Sequence, residues 1–427
     1  MTADASLAMP LAGTHLIEAG AGTGKTYRMT LLVLRLLLEQ ALPLSRILLV
    51  TFTEAATAEL KEKVRARLLQ ALRALETGTC DDDNLAGILA NAPPDGAARI
   101  ASALSTFDEA SIFTIHGFCH RVLREYAFEC GTNPEREVVT DSGIWFRRQT
   151  SNWWVSHMMH RPPFLVRWLI GQSFKPKTLM NLAARLCACP DMPVSLPPLK
   201  GGGAAAFVEA FGRARRIWQS DAPDIKSLLL GCDALNGTSY RKEKFSGWLD
   251  ELDRYFAGEE PPRVNDDVKS ALMKFCQDAL QQGTKKNRET PVHPFFDALT
   301  ALRSAVDGLR DELISSTSSF VDHVQQHLPQ QKEKDGVLFY DDMLVLLDRA
   351  LRADDGRLLT LLTKRWHAAL VDEFQDTDFL QYRIFEQIFA RSGLPLFMVG
   401  DPKQSIYAFR GADIFTYMGA AATARHR

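Results

Sequence analysis

The feature that most constrains the fold is a glycine-rich segment near the amino terminus, AGAGTGKT at residues 19–26. It follows a short apolar-biased run and precedes a leucine-rich segment at residues 27–39, so the local order is strand, glycine loop, helix. Glycines let the N–H groups of such a loop point inward at an anion, and the helix N-terminus adds positive potential. The pattern predicts a phosphate-binding loop, although Ala19 stands where the strict pattern has glycine. The alternative, a glycine-rich turn with a chance lysine, is disfavoured by the strand–loop–helix context.

Two side chains of this loop carry the chemistry of a nucleotide site. Lys25 is placed to reach the β- and γ-phosphates, and Thr26 is placed to ligate Mg²⁺. The predicted cofactors are therefore ATP and Mg²⁺. The predicted nucleotide-binding residues of the loop are Ala19, Gly20, Ala21, Gly22, Thr23, Gly24, Lys25 and Thr26.

The second half of a nucleotide site is predicted far along the chain. Residues 368–371 form a short apolar run that ends in Asp372 and Glu373. An acid at the carboxyl end of a strand can hold Mg²⁺ through its water shell, and the next acid can polarise the attacking water. An apolar run before two acids is common by chance, but paired with the phosphate loop it indicates a catalytic site.

A further strand is predicted at residues 394–399, followed by the segment GDPKQSIYAFRGAD. Gln404 is placed to sense a γ-phosphate, and Arg410 could link the nucleotide to a nucleic-acid site. Tyr407 and Phe409 offer planes on which bases could stack, and the alternative for both is core packing.

Two more apolar strands are predicted, at residues 46–51 and 110–114, each followed by a helix. Thr53 is a plausible N-cap for the first of these helices. In the second, His116, Cys119 and His120 have helix-face spacing that could suit a metal. We favour the alternative, in which His116 is a phosphate or hinge contact and the other two pack, because no fourth ligand is evident.

The texture of the sequence changes in the middle of the chain. Residues 81–96 are acidic and rich in proline and glycine, so we expect a loop there. Strand patterns fade after about residue 131, and candidate helices lie at residues 207–219 and 268–281. The α/β pattern returns near residue 335, where the paired acids Asp341 and Asp342 complement a helix N-terminus more readily than they form a metal site.

Composition argues against a membrane-spanning protein, a disulfide framework and a chain that is strongly basic overall. The chain has 427 residues, a net charge of −2 and 46% hydrophobic residues, as in a globular protein of two or three domains. Because the whole chain is nearly neutral, any DNA contact must come from a local groove. The seven cysteines form no C-x-x-C pair, and neither a leader nor a membrane-spanning run is evident. We expect a cytoplasmic protein without a membrane partner.

Five segments together resemble a known family. In order they are AGAGTGKT (19–26), VTFTEAATAEL (50–60), FTIHGFC (113–119), VDEFQD (371–376) and GDPKQSIYAFRGAD (400–413). This set resembles the first half of a superfamily 1 DNA helicase of the UvrD/Rep type, and its wording is most similar to the RecB branch, the helicase–nuclease subunits of bacterial exodeoxyribonuclease V. The resemblance extends over the whole chain and is weak in residues 140–330.

The resemblance implies a fold, an activity and site roles. The fold would be α/β, with a RecA-like P-loop NTPase sheet from residues 1–130 and 335–427 and a mostly helical domain inserted at 131–334. The activity would be ATP-driven DNA translocation and unwinding in double-strand-break repair and recombination. Lys25, Asp372, Glu373 and Gln404 would be catalytic, Thr26 and Asp372 would hold the metal, and Arg410 would join the ATP site. The residues implied to contact DNA are Thr51, Phe52, Thr53, Thr114, His116, Tyr407 and Phe409.

The resemblance also implies partners. These would be single-stranded DNA and duplex DNA ends, together with RecC- and RecD-like subunits. The inserted domain would be an arm that meets duplex DNA ahead of the fork.

Some parts of the family pattern are not found in this sequence. The family's glutamine upstream of the phosphate loop is not found in residues 1–14. The later helicase motifs, the second RecA-like domain and the nuclease domain are also not found. We therefore expect the chain alone to bind ATP weakly and hydrolyse it poorly, since the second domain would supply arginines to the γ-phosphate. The rival interpretation is a fragment that binds ATP, DNA or partner subunits without productive turnover.

Overall fold

The computed structural model describes residues 9–20, 24–188, 194–199, 203–261, 266–353, 356–404 and 414–424. The chain divides into two compact units. We call residues 1–140 with 336–427 the sheet unit, and residues 141–335 the helical unit.

Strands and helices alternate in the sheet unit, whereas helices dominate the helical unit. Among the described residues the strands are β1 Thr14–Glu18, β2 Ile47–Thr51, β3 Ile112–Thr114, β4 Glu137–Val139, β5 Val337–Phe339, β6 Ala368–Val371 and β7 Leu396–Gly400. The α-helices are α1 Lys25–Glu39, α2 Glu54–Thr77, α3 Asp83–Ala90, α4 Gly96–Ser105, α5 Ile115–Glu125, α6 Gly143–Met158, α7 Pro163–Gly171, α8 Pro176–Ala188, α9 Gly203–Leu230, α10 Lys242–Ala257, α11 Asp266–Phe275, α12 Gln277–Gln282, α13 Pro294–Asp335, α14 Tyr340–Leu351, α15 Arg357–Arg365, α16 Phe379–Phe385 and α17 Ile414–Thr423. Within the described part of the chain, none of these helices combines the length and apolarity needed to cross a membrane.

The centre of the sheet unit is a parallel sheet with strand order β1–β7–β6–β2–β3. Every residue of β2, β6 and β7 is buried, as expected when helices cover both faces of a parallel sheet. The α/β class with a parallel central sheet, predicted from the sequence, is confirmed.

Successive side chains of the strands point into two different apolar layers. Leu48, Val50 and Val371 pack into the layer that includes residues of α5, α14 and α16. Ile47 and Leu49 pack instead into the layer formed with α1, α2 and α4. The sheet is therefore the middle of three layers.

The stretch predicted as a loop at residues 81–96 contains a helix, so that prediction was wrong. Asp82 caps α3 by accepting hydrogen bonds from the N–H groups of Asn84 and Leu85. Leu85 and Ile88, three residues apart, are buried in the core. Composition hid this helix because its capping residue and its two apolar anchors lie within an acidic, proline-flanked stretch.

A second, two-stranded parallel sheet was missed by the sequence analysis. It pairs β4 with β5, matching Glu137 with Val337 and Val139 with Phe339. Strands of three residues are too short to display an alternating pattern, so periodicity does not find them. Their pairing joins the two chain segments of the sheet unit immediately before and after the helical unit.

Long helices with aromatic contacts build the helical unit. α9 and α13 are its two longest described helices, and the Trp218 ring of α9 packs against the tilted Phe295 ring of α13 with centroids 4.8 Å apart. The helix predicted at 207–219 extends further in both directions, as α9. The helix predicted at 268–281 is wrong as a single element, because the extended backbone of Cys276 separates α11 from α12.

A buried carboxylate fastens α14 to the segment that begins with α16. Asp348 is 1% exposed and accepts two hydrogen bonds from Arg383, at 2.7 and 2.6 Å. Arg352 Nε donates to Oδ2 at 2.9 Å and Gln387 Nε2 donates to Oδ1 at 3.1 Å. The charge is therefore buried with its hydrogen bonds satisfied, and removing it would leave two guanidinium groups without this acceptor.

We predict that Asp348→Ala lowers the free energy of unfolding of the sheet unit by about 3–5 kcal/mol, since it breaks a buried ionic network. Urea unfolding followed by circular dichroism measures the change. Asp81→Ala, which removes an exposed aspartate of the same unit, is the control and should change stability by less than about 0.5 kcal/mol. Equal effects of the two substitutions would contradict the assignment.

Candidate functional site

The candidate site lies where the carboxyl ends of neighbouring strands meet. β1 leads into the glycine loop, β6 leads into Asp372 and Glu373, and β7 leads into the turn that contains Gln404. Because β1, β7 and β6 are adjacent and parallel, these three segments share one edge of the sheet.

The described part of the glycine loop has the geometry of an anion-binding helix start. Gly24, the residue before α1, has φ of +87°, in the left-handed region that favours glycine. No side chain among the described residues caps α1, so its first N–H groups are available to a ligand. Ala21, Gly22 and Thr23 lie outside the described residues, whereas Ala19 is buried and donates its N–H to the Gly400 carbonyl at 3.1 Å.

The central contact of the site joins the glycine-loop helix to the end of β6. Lys25 Nζ donates to Glu373 Oε2 at 2.6 Å. The lysine side chain is 10% exposed and the glutamate side chain 37%, so the pair faces the cleft from its wall. Glu373 itself has φ of +50°, an uncommon backbone conformation for a residue with a side chain.

Asp372 is the more deeply buried of the two acids. Its Oδ1 accepts the N–H of Glu373 at 3.0 Å, and the residue is 8% exposed. Burial, and then the charge of Glu373, raise the pKa of Asp372 to about 6. A bound cation would oppose both effects and favour the ionised carboxylate.

The donor set at this edge fits a hard cation with few protein ligands. Thr26 offers a hydroxyl and Asp372 a carboxylate, the oxygen donors that Mg²⁺ prefers. No group of three or more His, Cys, Asp or Glu residues among the described positions could hold a metal alone.

A cleft of about 680 Å³ collects most of the predicted nucleotide-site residues that are described. Lys25, Thr26, Glu373 and Gln404 all line it. Gln404 Nε2 donates to Asp401 Oδ2 at 2.6 Å, which fixes the amide at the rim. Asp372 does not line the cleft; it is buried and precedes Glu373 in the chain.

One wall of the cleft was missed by the sequence analysis. Tyr27 and Arg67 line it, and the guanidinium lies 4.6 Å from the centre of the tyrosine ring. Both side chains bind Asp82: the tyrosine hydroxyl donates at 2.7 Å and Arg67 Nη1 donates at 2.7 Å. Asp82 was the signal in the sequence that could have revealed this wall, because an aspartate can cap a helix. It lies within the stretch that was interpreted as a loop.

The described residues implied to contact DNA lie at the neighbouring strand ends and differ in accessibility. Thr51 is fully buried, and its hydroxyl lies 2.6 Å from that of Thr57. Thr53 is exposed and caps α2 by accepting the Ala56 N–H. Phe52 lies between them and is half-buried. Thr51 is thus placed to shape this turn, while Phe52 and Thr53 have surface available to a ligand.

His116 and Thr114 lie at the end of β3. Thr114 caps α5 and donates to Glu54 Oε1 at 3.1 Å. The His116 ring packs on Tyr340 with centroids 4.3 Å apart. Burial lowers the pKa of His116 to about 4, so the ring is neutral at pH 7. Tyr340, which is 40% exposed, was not singled out from the sequence.

The possible metal site on α5 is not supported among the described residues. Cys119 is fully buried in the apolar layer beside α14, and burial raises the pKa of its thiol. The alternative preferred from the sequence, with Cys119 as a packing residue, agrees with this position. Tyr407, Phe409 and Arg410 lie outside the described residues, so their roles stay predictions.

Comparison with known proteins places the chain in a family. Residues 2–424 match the family described as UvrD/REP helicase N-terminal domain. The chain is 34% identical to the RecBCD enzyme subunit RecB of Escherichia coli, covering 97% of this chain and 36% of that protein. It is 30% identical to the RecBCD enzyme subunit RecB of Haemophilus influenzae, covering 99% of this chain and 38% of the relative.

Because the match covers residues 2–424, the chain belongs to the UvrD/REP helicase N-terminal domain family. The resemblance seen in the five sequence motifs, including the likeness to RecB, is thereby confirmed. The chain spans a little over a third of the length of these two relatives.

The neutral His116 generates a prediction about pH. Its folded-state pKa lies below the value of an unfolded histidine, so the unfolded state binds the proton more readily. The free energy of unfolding should therefore fall as pH drops from about 6.5 toward 4, by up to about 2 kcal/mol from this residue between pH 7 and 5.

Urea unfolding at pH 7 and pH 5 tests this. His116→Asn should show a smaller loss of stability on acidification than the unmodified protein. His160→Gln, at an exposed position, should keep the full loss. The prediction fails if the two variants respond alike.

Proposed function

We propose that this protein is an ATP-dependent DNA translocase and helicase of the RecB type, acting in double-strand-break repair and recombination. The observation that carries the proposal is the convergence of Lys25, Glu373 and Gln404 on one cleft at the edge of a parallel sheet. On this proposal the sheet unit is a RecA-like P-loop ATPase domain. Family membership and the RecB relatives support it independently.

The residues of the cleft divide the work of ATP hydrolysis. The N–H groups at the start of α1 and the Lys25 ammonium bind the phosphates. Thr26 and Asp372 would hold Mg²⁺, which when bound neutralises charge on the β- and γ-phosphates. Glu373 orients and deprotonates the attacking water, and Gln404 senses the γ-phosphate. Residues 20–23 and Arg410 are proposed to complete the nucleotide contacts.

The Lys25–Glu373 contact connects nucleotide binding to the proposed base. The Lys25 ammonium has three N–H donors, and one of them goes to Glu373 Oε2 at 2.6 Å. The phosphates bind the other donors, and their negative charge competes with Glu373 for the ammonium. Phosphate binding and activation of the base are therefore linked through one ammonium group.

The wall formed by Tyr27 and Arg67 gives the cleft room beyond the phosphates. Gln70 continues this wall and accepts from Arg67 Nη1 at 2.9 Å. We propose that the nucleoside end of ATP lies along it. This placement offers polar contacts where no upstream glutamine was found in the sequence.

DNA is proposed to cross the carboxyl ends of β2 and β3. Phe52, Thr53 and His116 have surface there, and Thr51 and Thr114 shape the two turns. Tyr407 and Phe409 are proposed to stack bases. The substrates would be single-stranded DNA and duplex DNA ends.

The helical unit is proposed to be the inserted arm predicted at residues 131–334. We propose that it meets duplex DNA and that RecC- and RecD-like subunits are the protein partners, because the relatives are subunits of RecBCD enzymes. A cytoplasmic location is proposed as well, since the cysteines among the described residues are free thiols.

The first experiment compares nucleotide affinity and ATP cleavage in two variants. Lys25→Ala should weaken binding of a fluorescent ATP analogue, because it removes the phosphate-binding ammonium. Glu373→Gln should keep that binding and lower single-turnover ATP cleavage by about 100- to 10,000-fold, the contribution typical of a general base.

Glu62→Gln, at an exposed position on α2, serves as the control and should alter neither readout. Cleavage in Glu373→Gln equal to that of the unmodified protein would overturn the role of Glu373. Nucleotide binding without any cleavage in the unmodified protein would favour the rival interpretation of a non-cycling fragment.

A second prediction concerns the DNA path. Phe52→Ala should weaken binding of a labelled oligothymidine by about 5- to 100-fold at low salt, the range expected for losing one aromatic stacking contact. Fluorescence anisotropy measures the affinity. Phe128→Ala removes an aromatic side chain that is 96% exposed in the same unit and should leave the affinity unchanged. If both variants bind equally well, DNA does not follow this edge.

A further inference from the structure

A buried amide lies directly behind the proposed catalytic base. Gln375 is 3% exposed, and its Nε2 donates to Glu373 Oε2 at 2.6 Å. Lys25 Nζ donates to the same oxygen, also at 2.6 Å. Glu373 Oε2 thus accepts from two donors. The Lys25 ammonium is also needed by the phosphates, whereas the Gln375 amide is not.

The orientation of this amide is fixed by chemistry. Its Oε1 accepts the backbone N–H of Asp401 at 2.8 Å. A backbone N–H can only donate, so the oxygen of Gln375 must face Asp401 and the nitrogen must face Glu373. The amide therefore joins the end of β6 to the residue that follows β7.

From Asp401 the connection continues to the predicted γ-phosphate sensor. Asp401 is 8% exposed; its Oδ2 accepts from Gln404 Nε2 at 2.6 Å and its Oδ1 from the Lys403 N–H at 3.0 Å. The unbroken path runs from Lys25 through Glu373, Gln375 and Asp401 to Gln404.

Gly400 makes room for the amide. A Cβ atom added at Gly400 would lie 2.7 Å from Gln375 Oε1 and 3.1 Å from its backbone nitrogen. Any side chain at this position would push Gln375 away. The close approach of the amide to the end of β7 therefore depends on glycine.

We propose that Gln375 is a positioning residue, which holds the Glu373 carboxylate when Lys25 turns to the phosphates and couples it to Gln404. This inference rests on the proposed ATPase function. Glu373 needs such a restraint because its backbone is in the left-handed region and its side chain is 37% exposed. Among the described residues Gln375 is the second of two donors to this carboxylate, so without it the group would be held less firmly when it must bind water.

The test separates positioning from binding and from folding. Gln375→Met has a similar size but neither donates to Glu373 nor accepts from Asp401. We expect kcat for ATP to fall by about 10- to 100-fold, as for a misplaced catalytic group, with KM and the affinity for a fluorescent ATP analogue changed less than about threefold. An unchanged kcat would overturn the proposal.

A second variant displaces the amide from the opposite side. Gly400→Ala leaves Glu373 and Gln375 in the sequence and should reproduce the loss of kcat. Gly87→Ala, on α3 with nothing within 4 Å of the added carbon, is the matched control and should retain full activity. Thermal unfolding midpoints of all variants identify any that fail to fold, and Gly400→Ala with full kcat would contradict the inference.

A double-mutant cycle tests the coupling itself. If Gln375 transmits the state of Gln404 to the base, then Gln375→Met and Gln404→Ala together should cost little more than the larger single loss. If the two losses of kcat multiply instead, the two residues act independently and the proposed coupling is wrong. Absence of ATP cleavage in the unmodified protein would instead count against the proposed function, so the two failures are distinguishable.

Discussion

The site depends on the register of a parallel sheet. Lys25 and Glu373 are 348 positions apart in the chain, yet their side chains are in hydrogen-bond contact. This is possible because β1, β7 and β6 are neighbours that run in the same direction, so their carboxyl ends coincide. A strand shifted by one residue would turn its buried side chains to the wrong layer, and the apolar cores on both faces oppose such a shift. The hydrophobic layers thus fix the geometry of the polar edge.

Negative charge exceeds positive charge around the two acids at this edge. Two adjacent acids, Asp372 and Glu373, face a single described ammonium from Lys25, and burial raises the pKa of Asp372 to about 6. The site is therefore short of positive charge around its acids, while the N-terminus of α1 offers donors without a carboxylate of its own. A polyanion that brings a divalent cation would satisfy both parts together.

Local signals in the sequence were sufficient for much of the sheet unit. The strands at residues 47–51, 368–371 and 396–400 are mostly apolar in sequence and buried throughout, and the glycine loop has a spacing that few other structures require. The Lys25, Glu373 and Gln404 side chains were singled out because such motifs fix residue types as well as order. The central sheet and these parts of the cleft were therefore predictable.

Other features depend on contacts that no local pattern encodes. The three-residue pairing of β4 with β5 joins segments 200 positions apart, as Glu137 matches Val337. Asp82 organises Tyr27 and Arg67 only because α3 folds back beside α1 and α2. The role of Gln375 likewise emerges from Gly400, whose missing side chain leaves space that the sequence does not display.

The pairing of β4 with β5 has a consequence for how such a chain can vary in length. The Glu137 N–H donates to the Gly336 carbonyl at 2.9 Å. The chain therefore leaves the sheet unit after β4 and returns to it before β5 at points about 10 Å apart, the length of three strand residues. Closing a loop costs entropy that grows only with the logarithm of its length. Once β4 and β5 are paired, the geometry of the sheet does not depend on how many residues lie between these two strands. Insertions of very different size could occupy the same junction while the strand order, and the edge that depends on it, stays the same.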